Sequence, residues 1–247
     1  MAPHIVSAFD SDLQELRARL SEMGGLAEEQ LSEALDSVRR RDLPLARQVV
    51  LKDVELDRRE LALEELAVRT LALRQPLAQD LRETIAALKV ASTLERIGDL
   101  SKSVARRVRP LSETDLAEFG GARLDAAILR MGQLAQTQLS DVLDAYGARD
   151  TAAAVTAWRR DIEIDELYNS LFRELLDLMT RERSAVSHGA HLLFVAKNLE
   201  RIGDHATFIA EMTYYIVIGQ PLSDDRPKGD PLFPLPDADP LTDRETV

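Results

Sequence analysis

The 247-residue chain contains no cysteine, which excludes disulfides and thiolate metal sites and makes a reducing compartment its natural setting. Aromatic residues amount to only 4%, with 11 glycines and 10 prolines. Ala, Leu, Glu and Arg dominate instead, a mixture that favours helix over sheet. No run of about 18 apolar residues is present, so no segment is expected to span a membrane. The start, MAPHIVSAFDSDL, lacks the basic cluster and apolar stretch of a secretory signal. A net charge of −12 argues against binding the phosphate backbone of nucleic acid. Hydrophobic residues, at 45%, suffice for a real core. The expectation is a soluble, cytoplasmic, all-α protein.

Proline marks the organisation. Six of the ten prolines fall at or after Pro221, in a stretch where seven acids outnumber three basic residues and no apolar period is visible. Residues 220–247 therefore read as a disordered, acidic, Pro-rich tail. Between residues 8 and 219 only Pro44, Pro76 and Pro110 occur, each where a long helical pattern needs a start or a break. Asp42 and Asp150 are N-cap candidates, and further turns are expected at Arg74-Gln75-Pro76, Gly120-Gly121 and Ser184–Ser187. Six helices result, roughly 8–41, 43–73, 76–109, 114–147, 150–183 and 186–219. Each is about 30 residues, or about 45 Å, long. Helices of that length joined by short turns must lie antiparallel to bury their apolar stripes. Val155, Trp158, Ile162, Leu171, Leu175 and Leu178 form one such stripe.

The six helices are two copies of three. LERIGD occupies 94–99 and again 199–204, DVELD at 53–57 answers DIEID at 161–165, and Asp42 answers Asp150. Three features in one register imply two tandem antiparallel three-helix bundles related by internal duplication. The boundaries expected are 1–111 for the first repeat and 112–219 for the second.

Each repeat carries two acid pairs spaced four apart: Asp53/Asp57 with Glu95/Asp99, and Asp161/Asp165 with Glu200/Asp204. Like charges at that spacing share a helix face and repel by a few tenths of a kcal/mol. Folding the helices about turns near residues 75 and 184 sets Asp53 against a position near 96 and Asp165 against one near 203. Four carboxylates then converge in each bundle. Asp53, Asp57, Asp161 and Asp165 have no Lys or Arg three or four positions away along their own helix, whereas Arg96, Lys197 and Arg201 are spaced to pair with Asp99, Glu200 and Asp204. Two readings stand: a solvated polar face, or a site that calls for a cation. Oxygen-only ligands suit hard cations, including carboxylate-bridged iron or manganese. The Glu-x-x-His signature of di-iron bundles is absent, since no acid stands three residues before His188, His191 or His205. Gly98 and Gly203, costly inside helices, mark a close approach beside the acids.

At these residues the sequence resembles the phosphate-uptake regulator family, PhoU. The resemblance runs from HIVSAFDSDLQELR through EMGGLAEEQLSEAL, LALRQPLAQDLR and both LERIGD segments to about Tyr215. It implies two three-helix bundles with multinuclear metal clusters on the acidic faces, iron foremost and zinc, manganese or magnesium as alternatives. The ligand set carries over to Asp53, Asp57, Glu95, Asp99, Asp161, Asp165, Glu200 and Asp204. The implied role is repression of the phosphate-starvation response when phosphate is ample. The chain would bridge the ATPase subunit of the phosphate ABC transporter and the sensor histidine kinase of a two-component system. It would touch the membrane only through those partners, and a homodimer is expected.

A non-catalytic adaptor agrees with the absence from the sequence of a Gly-rich phosphate loop and of any Ser-His-Asp or cysteine nucleophile pattern. The competing reading is a metal-dependent oxidase or phosphohydrolase using the carboxylates. The missing histidine ligands weigh against it.

Overall fold

The computed structural model describes residues 3–113 and 121–222, residues 3–8 by their backbone alone. These residues form α1 (Pro3–Arg40), α2 (Leu43–Arg74), α3 (Ala78–Ala105), α4 (Val108–Ser112), α5 (Gly121–Ala148), α6 (Thr151–Arg159), α7 (Ile162–Arg181) and α8 (Val186–Ile218). A single 3₁₀ turn at Arg183–Ala185 precedes α8, and no strand occurs among the described residues. From residue 223 onward the acidic tail lies outside the described residues, as does the start of the expected fourth helix.

The first reversals are built by matched turns. Asp42 caps α2, its carboxylate accepting from the Leu45 amide at 3.0 Å, with Pro44 in the first turn. Asp150 caps α6 by accepting from the Ala152 and Ala153 amides at 2.9 and 3.0 Å. The residue before each cap is an arginine in the left-handed region, Arg41 at φ 52° and Arg149 at φ 55°. Gln75, at φ 48°, closes the α2–α3 turn ahead of Pro76.

The fifth expected helix is interrupted. α6 ends at Arg159 and α7 begins at Ile162. Arg160 and Asp161 keep right-handed helical angles there, while the Glu163 and Ile164 amides reach the carbonyls of Arg160 and Asp161 at 3.0 Å. The break is a tightened turn of i→i+3 bonds, not a change of course. The third expected helix likewise ends at Ala105, and α4 carries Pro110.

α1, α2 and α3 pack on one another, and α5 packs with α6, α7 and α8. The two bundles join along α3 and α8 at the centre, with α1 against α5 beside them. α3 and α8 run antiparallel: Arg82 near the start of α3 lies at the Ile216 carbonyl, and Arg107 just past its end covers the Phe194 ring at 4.4 Å. The core is aliphatic, with Leu16, Met23, Leu31, Leu56, Leu63, Leu94, Ile97, Ile128, Met131 and Leu139 fully buried. Trp158 is buried as its stripe position requires, and its indole N–H donates to Glu211 at 3.1 Å.

Charged contacts tie the repeats together. Arg41 reaches Asp125 of α5 at 2.8 and 3.0 Å. Reciprocally, Arg149 of the second repeat crosses to Glu83 of α3, which Arg17 of α1 also grips. Glu83 is buried between them. Burial alone would push its carboxyl up, but the hydrogen bonds from Arg17 and Arg149 outweigh that and hold it below its ordinary 4.5.

Candidate metal centre

Gly98 and Gly203 show why each LERIGD needs its glycine. A Cβ on Gly98 would stand 2.6 Å from Leu56 Cδ1, 3.0 Å from Gln30 Oε1 and 3.5 Å from Asp53 Oδ1. A Cβ on Gly203 would stand 2.8 Å from Asp161 Oδ1, 3.1 Å from Ile164 Cδ1 and 3.2 Å from Gln138 Oε1. The same three-part contact is thus built twice: a glutamine from α1 or α5, an aspartate from the next helix, and a glycine of the inner helix.

Asp53 and Asp161 are the buried members of the predicted set, at 4% and 1% exposure. Each accepts a 3.1 Å hydrogen bond from its glutamine, Gln30 or Gln138. These glutamines are the residues that sequence reasoning missed. The signal was present: QLSEALD from Gln30 and QLSDVLD from Gln138 keep the repeat register of the acids.

The remaining carboxylates gather around the glutamate of each LERIGD. Glu95 is pushed up from 4.5 to about 7, by burial first and then by Asp99, Glu60 and Asp57. Glu60 is thus a fifth acid of the first patch. Glu200 is pushed up by burial, with Asp204 and Asp165 adding to it and Lys197 opposing. Lys197 donates to Glu200 at 2.7 Å, as its spacing predicts, and lies 5.2 Å from the Tyr168 ring. No three acidic or histidine side chains among the described residues come close enough to grip one ion.

Two differences from the sequence expectation follow from side-chain reach and from the hairpins. Asp53 does not lack a cation: Lys102, one turn beyond Asp99 on α3, hydrogen-bonds Asp53 and Asp99 together. Counting neighbours along α2 alone missed it, because the lysine comes from the facing helix. In the second repeat it is Asp161, not Asp165, that meets Gly203. The chain there reverses at Glu182, whose backbone is extended, slightly before the turn expected near 184.

His205 sits between the bundles, where burial first, then Arg201 and Arg96, hold its imidazole below 6.5. Arg96 lies close enough to act on it only because the two LERIGD segments pass each other where α3 crosses α8. His191 is likewise held down by burial and Arg107, and His188 is buried at 3% exposure.

A duplicated helical-bundle protein, with a glutamine-backed acidic patch on the inner helix of each copy, is the class that fold and site define. The family model described as the PhoU domain matches the chain twice, over residues 20–108 and 128–213, and the chain belongs to the PhoU family. Over 232 residues it is 46% identical to the phosphate-specific transport system accessory protein PhoU homolog of Caulobacter vibrioides, covering 94% of this chain and 99% of that one. The crystal structure of PhoU from Pseudomonas aeruginosa superimposes with a TM-score of 0.81 at 36% identity, covering 86% of this chain and all of that one. The phosphate transport system regulatory protein PhoU of Streptococcus pneumoniae gives a TM-score of 0.80 at 31% identity over 87% of this chain and 99% of that one. The Caulobacter relative is named an accessory protein and the Streptococcus one a regulatory protein, and the chain belongs to this non-catalytic family.

Proposed function

We propose that the chain is an accessory regulator of phosphate transport that represses the phosphate-starvation response when phosphate is ample. In this reading it bridges the ATPase subunit of the phosphate ABC transporter and the sensor histidine kinase at the cytoplasmic face of the membrane. The observation that carries it is family membership across both repeats, with relatives named for that transport system. No described helix is long and apolar enough to cross a membrane, which agrees with contact through partners.

The outer face of α2 supports a docking role. Leu51, Val54, Leu61 and Val68 are 75%, 49%, 60% and 54% exposed. Their steps of three and seven residues align them along one side of the helix. Such an apolar seam suits a partner helix or a second copy in a homodimer.

The acidic patches are read as cation sites, with iron foremost and zinc, manganese or magnesium as alternatives. Asp161, Asp165, Glu200 and Asp204 would hold the ion in the second repeat, and Asp53, Asp57, Glu95 and Asp99 in the first. One observation supports that reading for the second set. The carbonyl oxygen of Gln138, a residue only 4% exposed, has no hydrogen-bond partner and lies beside Asp161. A bound cation would supply the positive charge that lets clustered carboxylates stay ionised.

The test is recovery of the two named partners from membranes on immobilised full-length chain, at high and low phosphate, identified by mass spectrometry. The transporter ATPase and the histidine kinase are both expected, with kinase recovery dependent on phosphate. Recovery of neither subunit at either phosphate level would contradict the reading.

A further inference from the structure

An open groove of about 680 Å³ lies where α2 begins and α3 ends. It is lined by Leu43, Val50 and Leu51 of α2, together with Arg47, Arg106 and Arg109. Leu43 and Leu51 are 38% and 75% exposed. Apolar side chains left in water along a concave surface mark a place where something docks. The three arginines are exposed as well. Arg109 pairs at 3.3 Å with Glu113, the one acid among the described lining residues. No acid among the described residues pairs with Arg47 or Arg106. In a chain of net charge −12, this groove is a place of unbalanced positive charge.

An occupant that fits is short, partly apolar and acidic, and the chain itself carries one beyond its described residues. The stretch 230–243, DPLFPLPDADPLTD, holds four acids and no basic residue, with Leu232, Phe233, Leu235 and Leu241 among them. Its four prolines restrict the stretch before it binds, which lowers the entropy lost on docking. Its length also suffices. Leu222, the last described residue, packs against the core just past the end of α8, and that end lies at Arg82 of α3. Arg106 stands about 36 Å farther along α3. The chain from Leu222 to Asp237 can extend to about 50 Å.

We propose that the acidic C-terminal segment of this chain docks on the groove of its own first repeat. Its leucines cover Leu43 and Leu51, and its aspartates face Arg47 and Arg106. The match is of charge as well as of apolar surface, which fixes the segment's place along the groove. The inference goes beyond the regulatory reading and does not depend on it. An occupied groove covers Leu51, the first residue of the exposed α2 seam, and leaves Leu61 and Val68 open. The segment thus limits how far a partner helix can lie along α2.

Because the chain has no cysteine, disulfide trapping in the full-length protein is the direct test. Leu51→Cys/Ala238→Cys is oxidised in dilute solution, and the internally bridged monomer is followed by non-reducing electrophoresis and mass spectrometry. Each rate is divided by that of the same groove or control cysteine, alone in the chain, with a small soluble disulfide, because nearby arginines activate a thiol. The bridge is expected to close about tenfold faster than in Val68→Cys/Ala238→Cys. Val68 is also exposed and lies towards the end of α2 nearest Leu222, where a segment without a docking site would reach it more readily. Adding Arg47→Glu/Arg106→Glu is expected to slow the Leu51 bridge to the Val68 rate, and adding Asp237→Arg/Asp239→Arg to that variant to restore it. The substituted groove residues are exposed, so these variants are expected to fold, as circular dichroism checks. A Leu51 bridge no faster than the Val68 one, a rate unmoved by the charge reversal, or a bridge between two chains instead of within one would overturn the inference.

Discussion

Gly203 and Glu95 show how single residues set the character of the acidic faces. Alanine at an unhindered helical glycine adds about 0.5–1 kcal/mol of stability by restricting the unfolded chain. Gly25 of α1 is exposed with nothing within 4 Å of an added Cβ, so Gly25→Ala is expected to gain that amount in urea unfolding. Gly203→Ala is expected to lose about 1–3 kcal/mol instead, because its methyl would strike the Asp161 carboxylate and Gln138. Glu95 adds a pH signature. Its carboxyl is raised from 4.5 to about 7, burial first and Asp99 next. Between those values the folded protein keeps a proton that the unfolded chain has released, so stability in chelator falls as pH rises through that window. Glu95→Gln is expected to flatten the slope, so urea midpoints of variant and wild type should diverge towards pH 8 in the variant's favour.

At the scale of the helices, sequence was most legible where one chemical cue decides the backbone. Asp42, Pro44, Asp150 and Pro76 announced their turns because capping and proline geometry are local. The break between α6 and α7 carried no such cue: no glycine or proline stands at Arg160 or Asp161, and a tightened turn costs too little to leave a compositional mark. The acids were legible from their spacing. Gln30, Gln138 and Lys102 were not singled out, since each acts across helices and the reading followed neighbours along one helix. The α2 seam is a property of an element too, and Leu61 lies at its middle. Leu61→Asp is expected to stay within about 0.5 kcal/mol of wild type in unfolding, yet to weaken capture of the transporter ATPase or self-association in sedimentation. Unaltered association in both assays would remove α2 from the docking surface.

For the whole molecule, duplication supplies two bundles, and a few crossing charges decide how firmly they hold together. Arg41 reaches Asp125, while Arg17 and Arg149 close on Glu83 from opposite repeats. The hydrogen bonds from those arginines overcome the burial that works against the Glu83 carboxylate and depress its pKa below 4.5. A depressed carboxyl stabilises the fold above its unfolded pKa and loses that contribution as pH falls through the folded value. Glu83→Gln is therefore expected to cost about 1–3 kcal/mol at pH 7, with the gap to wild type closing once the pH drops below 4.5. The joint matters for function because α3 and α8, which carry the two patches, also form the contact between the bundles.

The central claim is that the second-repeat acids serve repression through a bound cation. Its most direct measurement is a phosphate-starvation reporter in cells whose own copy of the gene is replaced by variants, grown with ample phosphate. Wild type is expected to keep the reporter silent. Glu200→Ala/Asp204→Ala, made to the same level and helical by circular dichroism, is expected to leave it on and to carry less metal when purified without chelator. Full repression by that variant, with its metal content unchanged, would contradict the account.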